Sequence, residues 1–174
     1  MIKAQVINYS VSADDDKGRM RKLCDTTKLQ LPSIEYATAT LSGSGIMGEI
    51  DFPNIYKPGA MSFTLSQRLD TKDAISLQAP REHLFEVLWV TDKFDTNNAK
   101  IGIDSHKAVI KGLPKKYDPG SLESGNASDG SNEIEVYYYK RVINGETVLE
   151  IDKLNFVLKI NGVDYSTKIR NVLA

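Results

Sequence analysis

The sequence predicts a mainly β fold: a barrel or sandwich with one flanking α-helix, extended loops and a long carboxyl-terminal hairpin, built from residues 1–174 as a single domain. Three observations carry this. Two runs rich in Val, Ile and aromatic residues, Ile134-Glu-Val-Tyr-Tyr-Tyr-Lys-Arg-Val-Ile143 and residues 147–160, close the chain, and such side chains suit a pleated, half-buried surface. Between them stands Asn144-Gly145, which supplies the positive φ required at both central positions of a type I′ hairpin turn. A length of 174 residues with 41% apolar side chains is enough for one real core.

From the amino end, residues 3–11 read as a short strand. Asp14-Asp15-Asp16-Lys17-Gly18 follows as a turn, where Asp side chains bond nearby backbone and Gly tolerates positive φ. A calcium loop is excluded there, because an EF-hand needs alternating oxygen ligands and a distant bidentate Glu, whereas these acids are consecutive and Lys, Arg and Met follow. Residues 29–41 and 61–69 read as strands. In the second, Phe63, Leu65 and Leu69 alternate with Ser62, Thr64 and Ser66, so one face is expected to be buried.

Residues 42–60, holding Gly43, Gly45, Gly48, Pro53, Pro58 and Gly59, read as a long excursion without regular structure. Such a segment in a compact domain generally serves a function, and gripping a neighbouring subunit is one. Gly43-Ser44-Gly45-Ile46-Met47-Gly48 is a literal G-x-G-x-x-G. A dinucleotide fingerprint needs a helix amino terminus after the glycines, and the two prolines that follow offer no helical period, so the glycines serve a closely packed loop.

The spacing predicts the flanking helix from Pro80, with Leu84, Phe85, Leu88 and Trp89 on one face packed against a sheet. Residues 100–113 resume as a strand. Residues 114–132 are too polar and glycine-rich to order themselves, so they are mobile or held by a partner. Asn126-Ala127-Ser128 matches a glycosylation acceptor, idle without a secretory route.

Twenty-two basic and 23 acidic residues leave a net charge of −1, which lacks the basic patch of a sequence-seeking nucleic-acid binder. No signal peptide or apolar run of membrane length is visible, so synthesis in a bacterial cytoplasm without membrane association is expected. Cys24 is alone, and His83 and His106 are the only histidines, without metal-ligand spacing. No Gly-x-Ser-x-Gly marks a nucleophile. Glu133/Glu135 and Glu150/Asp152 stand two apart, so on strands each pair shares a face; no substrate pocket is suggested beside them. No enzymatic activity, cofactor or metal is expected.

Two segments carry a family resemblance. The run Leu149-Glu-Ile-Asp-Lys-Leu-Asn-Phe-Val-Leu-Lys-Ile-Asn-Gly-Val-Asp-Tyr165, then Lys168-Ile-Arg-Asn-Val-Leu173, resembles the carboxyl end of the major tail tube proteins of contractile-tailed, P2-like phages and related R-type contractile bacteriocins. Leu31-Pro32 through Gly43-Ser-Gly-Ile-Met-Gly48 to Asp51 is similar to that family's Leu-Pro, Gly-x-Gly-Met-x-Gly and Asp region, with Ile46 inserted ahead of Met47. The likeness runs from about Leu29 to the end.

The resemblance implies a tail-tube barrel whose hexameric rings stack into the inner tube of a contractile tail, each subunit lending four strands, two of them long, to a barrel around the lumen. It implies as partners further copies of the chain, the tail sheath, tape measure protein, baseplate hub and tail terminator, with DNA or other cargo passing without specific binding. The place implied is a virion tail or a headless bacteriocin particle. Gly43, Gly45, Gly48 and Asp51 are then expected to touch adjacent subunits, and Lys168 and Arg170 to lie on a ring-to-ring or sheath-facing surface. Symmetry multiplies every lumen charge and a lysine ring would hold phosphate, so a neutral to acidic lumen is expected, with Glu133, Glu135, Glu150 and Asp152 as candidate wall charges. The apolar phase shift between Leu149/Ile151 and Leu154/Phe156/Leu158 predicts a bulge or change of face near Asp152. The alternatives are a type VI secretion-like tube protein and a monomeric β-barrel that binds a small ligand, which oligomeric state separates from a tube subunit.

Overall fold

Alternation of small polar and large apolar residues dictates most of the architecture. The computed structural model describes residues 2, 5–68 and 71–173. Among them run β1 (Val6–Asp14), β2 (Met20–Leu23), β3 (Thr26–Gln30), β4 (Tyr36–Ser42), β5 (Glu49–Pro58), β6 (Met61–Gln67), α1 (Lys72–Ser76), β7 (His83–Asp95), β8 (Lys100–Asp118), β9 (Gly130–Ile143), β10 (Glu146–Asp152), β11 (Val157–Ile160), β12 (Val163–Asp164) and α2 (Thr167–Leu173). The fold is mainly β, as the sequence predicts.

One antiparallel sheet holds ten of these strands, in the order β12-β11-β10-β9-β8-β7-β1-β2, with β3 reached through β6. β9 is its spine. Along one edge it pairs with β8; along the other its first half takes β6, Met61 opposite Val136, and its second half takes β10, Tyr139 opposite Ile151. Where the two halves meet, Tyr137 is the extra residue of a bulge, since Lys111 faces Tyr138 while Gly112 faces Val136. The bulge shifts the inward phase from Ile134 and Val136 to Tyr139. At Gly112 a Cβ would stand 2.2 Å from the Glu135 carbonyl oxygen, so this close crossing admits only glycine.

Period-two burial builds the core. Met61, Phe63 and Leu65 of β6 point inward between Ser62, Thr64 and Ser66; Leu69, expected on the same phase, lies outside the described residues. Val11 and Ala13, Phe85 and Val87, Ala108 and Ile110, and Ile134 and Val136 join them. Phe63 and Phe85 meet with ring centroids 5.1 Å apart, and each such fully buried side chain contributes about 1.5–3 kcal/mol through removal from water.

The helix expected from Pro80 is a strand instead. β7 pairs with β8 along all 13 of its residues, from His83 opposite Gly112 to Asp95 opposite Lys100. His83, Phe85 and Val87 face the core and Leu84, Glu86 and Leu88 face away. Leu84, Phe85, Leu88 and Trp89 mimic a helical stripe only because β7 carries apolar residues on both faces. The helices lie elsewhere: α1 is capped by Thr71, whose Oγ1 accepts from the Ala74 N–H at 3.2 Å, and α2 ends the chain.

Three loop expectations change in the same direction. The strand expected over 29–41 breaks at Leu31-Pro32 into β3 and β4. The excursion over 42–60 is largely ordered as β5, which pairs with β4 in a separate two-stranded sheet; Gly45 (φ 92°) and Gly48 (φ 90°) make its turn. Of the polar segment 114–132, β8 claims the start and β9 the end, leaving 119–129 as loop. The carboxyl hairpin turns at Asn144 (φ 48°) and Gly145 (φ 84°), as expected. Near Asp152 the change of phase is a reversal: β11 folds back on β10, Leu158 opposite Ile151.

Candidate functional site

Three surfaces gather the residues singled out in the sequence. The first is the β4–β5 arm. Every residue of β4 after Tyr36 and of β5 before Pro58 is exposed, so the arm has no core of its own. Yet it carries Met47, Ile50, Phe52, Ile55 and Tyr56, with Met47 at 104%, Phe52 at 61% and Ile55 at 53% exposure. Gly43, Gly45 and Gly48 sit at its far end and Asp51 on its side, where the carboxylate accepts from Thr40 Oγ1 at 2.7 Å.

The arm's root is fixed. The Gly59 N–H donates to the Glu35 carbonyl at 2.7 Å, and Lys153 Nζ donates to the Gly59 carbonyl at 2.6 Å. Burial draws the Lys153 ammonium below its ordinary range, partly offset by Glu135.

The second surface is the outer face of the sheet. Opposite the core, β7 through β11 present Glu82, Glu86, Lys107, Lys111, Lys115, Glu133, Glu135, Lys140, Glu150 and Lys159. Lys115 bridges Glu133 at 3.2 Å and Glu135 at 3.4 Å, Lys107 meets Glu86 at 2.7 Å, and Lys159 lies 3.8 Å from Glu150. The Glu133 carboxylate, followed by Glu135, holds the Lys115 ammonium above its usual range. Tyr138 donates to Glu150 at 3.2 Å, and burial together with that neighbouring charge pushes its phenol up to about 12. Glu133 and Glu135 therefore share one face, as their spacing predicts, with Glu150 on the same side, and each has a lysine partner. Asp152 acts locally instead. It accepts from the Leu154 and Asn155 backbone N–H groups and from Asn155 Nδ2, holding the β10–β11 turn.

The third surface is the carboxyl end. Lys168 is exposed on α2. Arg170 is drawn inward, donating to the Phe156 carbonyl at 3.0 Å and to Asp164 at 2.7 Å, and this hydrogen bond holds the Asp164 carboxyl below its usual range. Val172 and Leu173 are left exposed. Beneath α2 a cleft is lined by Tyr56, Ile151, Phe156, Leu158 and Ile169.

Sequence reasoning missed the lysines of the outer face, although Lys107 and Lys111 repeat at even spacing along β8. It also missed the half-buried ion pair between Asp14 at the end of β1 and Arg81 just before β7. Arg81 donates to Asp14 at 2.8 Å while Asp14 accepts the Leu84 N–H at 3.0 Å, and the fully buried His83 ring lies against the same carboxylate. No sequence spacing could announce a pairing across 67 residues. Among the described residues no group of three His, Cys, Asp or Glu could hold a metal, and no helix is long and apolar enough to cross a membrane.

The tail tube protein of Escherichia phage P2 is 29% identical over 58 residues, 33% of this chain, and the aligned part spans about a third (34%) of that relative. Among solved structures, the sheath/tube terminator of the extracellular contractile injection system PVC superposes with a TM-score of 0.51 at 12% identity, covering 82% of this chain and 98% of the other. The PVC sheath-tube complex gives 0.50 at 10% identity over 77% and 87%, and the anti-feeding prophage baseplate 0.50 at 9% over 82% and 97%. At these identities the superpositions speak for a shared fold. The model of the family described as phage tail tube protein FII matches residues 14–173, taking in β2 and β3 as well as both motif segments, and the chain belongs to that family.

Proposed function

We propose that six copies of the chain close into a ring and that rings stack into the inner tube of a contractile tail, a conduit for DNA or other cargo. The observation that carries this reading is the β4–β5 arm, hydrogen-bonded at its root yet with Met47, Ile50, Phe52 and Ile55 left exposed along it. A neighbouring copy is the natural cover, with Gly43, Gly45, Gly48 and Asp51 at the contact. Lys168 and the exposed end of α2 are proposed to face the next ring or the sheath. Tail sheath, tape measure protein, baseplate hub and tail terminator are the further proposed partners, which places the protein in a virion tail or a bacteriocin particle. A catalytic role has no support in the family or in the surfaces described.

β1, β7, β8 and β9 are the proposed lining. About 24 such strands per ring, spaced about 4.8 Å and tilted about 40°, give a backbone diameter of roughly 45–50 Å, which passes a DNA duplex after side chains are allowed for. The outer face of that sheet would be the wall. Its glutamates Glu133 and Glu135 are offset by Lys115, and Glu150 on the adjoining β10 by Lys159 of β11, so the wall is proposed to be near neutral and to bind passing phosphate weakly. Ring closure would also remove the sheet edges that otherwise invite aggregation.

Negative-stain electron microscopy over a concentration series tests this. Rings or hollow tubes are expected. Particles that stay monomeric even with baseplate added as a nucleus would overturn the tube and favour a single-chain ligand-binding barrel.

A further inference from the structure

The chain contains the tripeptide Ile-Asn-Gly twice, at Ile143-Asn144-Gly145 and Ile160-Asn161-Gly162. Each copy makes a two-residue turn between antiparallel strands, β9 to β10 and β11 to β12. The backbones nearly coincide, with φ of 48° and 84° at the first and 48° and 83° at the second. Both asparagines are exposed, and both glycines stand in open space.

Only the side chains differ. Asn144 Oδ1 accepts from the Ser105 backbone N–H at 2.9 Å and from Ser105 Oγ at 3.4 Å, and Nδ2 donates to the Asp104 carboxylate at 3.0 Å. Asp104 is itself buried and fixed by Lys93 Nζ at 2.7 Å. Asn161 is held by its backbone N–H alone, donating to the Val148 carbonyl at 2.9 Å; among the described residues no hydrogen bond engages its carboxamide.

We infer that Asn161 is a site of spontaneous deamidation in the folded protein and that Asn144, in the same tripeptide, is shielded from it. The Gly162 amide nitrogen, having given its proton to hydroxide, attacks Asn161 Cγ. An N–C bond forms, the bond from Cγ to the carboxamide nitrogen breaks, and that nitrogen leaves as ammonia after taking a proton from water. Water then opens the five-membered succinimide at either carbonyl, giving aspartate or isoaspartate with no change of oxidation state.

To reach this geometry a carboxamide must rotate over the following peptide. At Asn144 that rotation breaks a charge-assisted bond to Asp104 and the bond from Ser105; at Asn161 it breaks none. The second turn also closes a ladder of only two residue pairs, Ile160 with Val163 and Lys159 with Asp164, so it opens locally with less resistance. The product would add one negative charge, and as isoaspartate one extra backbone carbon, just before Asp164, the anchor of Arg170.

The test is peptide mass spectrometry of the full chain aged in mildly alkaline buffer, folded or in denaturant, with tryptic peptides 142–153 and 160–168 reporting the two sites separately. In the folded chain, peptide 160–168 is expected to convert at least about tenfold faster than 142–153, a barrier difference of about 1.4 kcal/mol. In denaturant the two rates should converge. Equal rates in the folded chain would overturn the inference, as would conversion of Asn161 only after denaturation. A rate difference that persisted in denaturant would assign the effect to the flanking Glu146 and Val163 and overturn the shielding by Asp104 and Ser105.

Discussion

The β7–β8–β9 sheet and the β4–β5 arm are both antiparallel hairpin structures, yet they answer to opposite needs. In the sheet, the core-facing apolar side chains are met by those of β1, β6 and β10 of the same chain; Phe85 and Ile110 are wholly buried. In the arm, apolar side chains of similar size are left mostly exposed, and Tyr56 at its root borders the cleft beneath α2. The sheet is stabilised from within, the arm by whatever covers it, and the two can be damaged separately.

Truncating the sheet gives the largest expected effect. Phe85→Ala removes a ring packed on Phe63 and should cost about 3–5 kcal/mol, read as a shift in the denaturant midpoint of the isolated subunit. The double variant Phe52→Ser/Ile55→Ser should leave that midpoint within about 0.5 kcal/mol of the parent while abolishing rings and tubes in electron micrographs. A loss of subunit stability comparable to that of Phe85→Ala would erase the distinction between the two regions.

Smaller effects sharpen it. Arg170→Ala releases α2 from Asp164 and Phe156, and because that pair is partly solvated the global change should stay below about 1 kcal/mol. Hydrogen exchange should quicken in α2 and leave β9 protected. The smallest effect is electrostatic. Asp15, in the β1–β2 turn, is lowered from 3.8 to about 2, first by the Arg19 backbone N–H, with further hydrogen bonds from the Lys17 N–H and the Arg19 side chain. A depressed carboxylate contributes its stability above the unfolded value and loses it as pH falls through the folded one. The Arg19 amide resonance should therefore hold steady down to about pH 3 and move with a midpoint near pH 2, while core amides do not.

What the sequence disclosed follows the same division. Turn chemistry was legible because it is local: Asn144-Gly145 needed only its two residues, and the phase of β6 only its own alternation. β7 misled because residues on its solvent face are apolar too, and periodicity cannot tell a two-faced strand from a helix when Leu84, Phe85, Leu88 and Trp89 fill both patterns. The arm was hidden by Gly and Pro, which signal irregular backbone but here bound a hairpin. The charge pairs Lys115 with Glu133 and Arg81 with Asp14 depend on register and on distant partners, which a single chain does not spell out. Arg170, expected on a ring-to-ring or sheath-facing surface, also binds Asp164, six residues away, a contact that spacing alone does not announce.

The position of β9 in the chain carries a consequence for synthesis. Its partners β6 and β8 leave the ribosome before it, and Met61 must wait for Val136 before it is covered. Such distant pairing slows folding, because loop closure precedes any gain from contact. The arm, complete by Pro58, thus emerges sticky and early, long before the sheet that roots it can form. A nascent or truncated chain ending before residue 130 would expose both apolar sets at once, and only the finished chain leaves the arm alone as the exposed set, ready for the proposed contact.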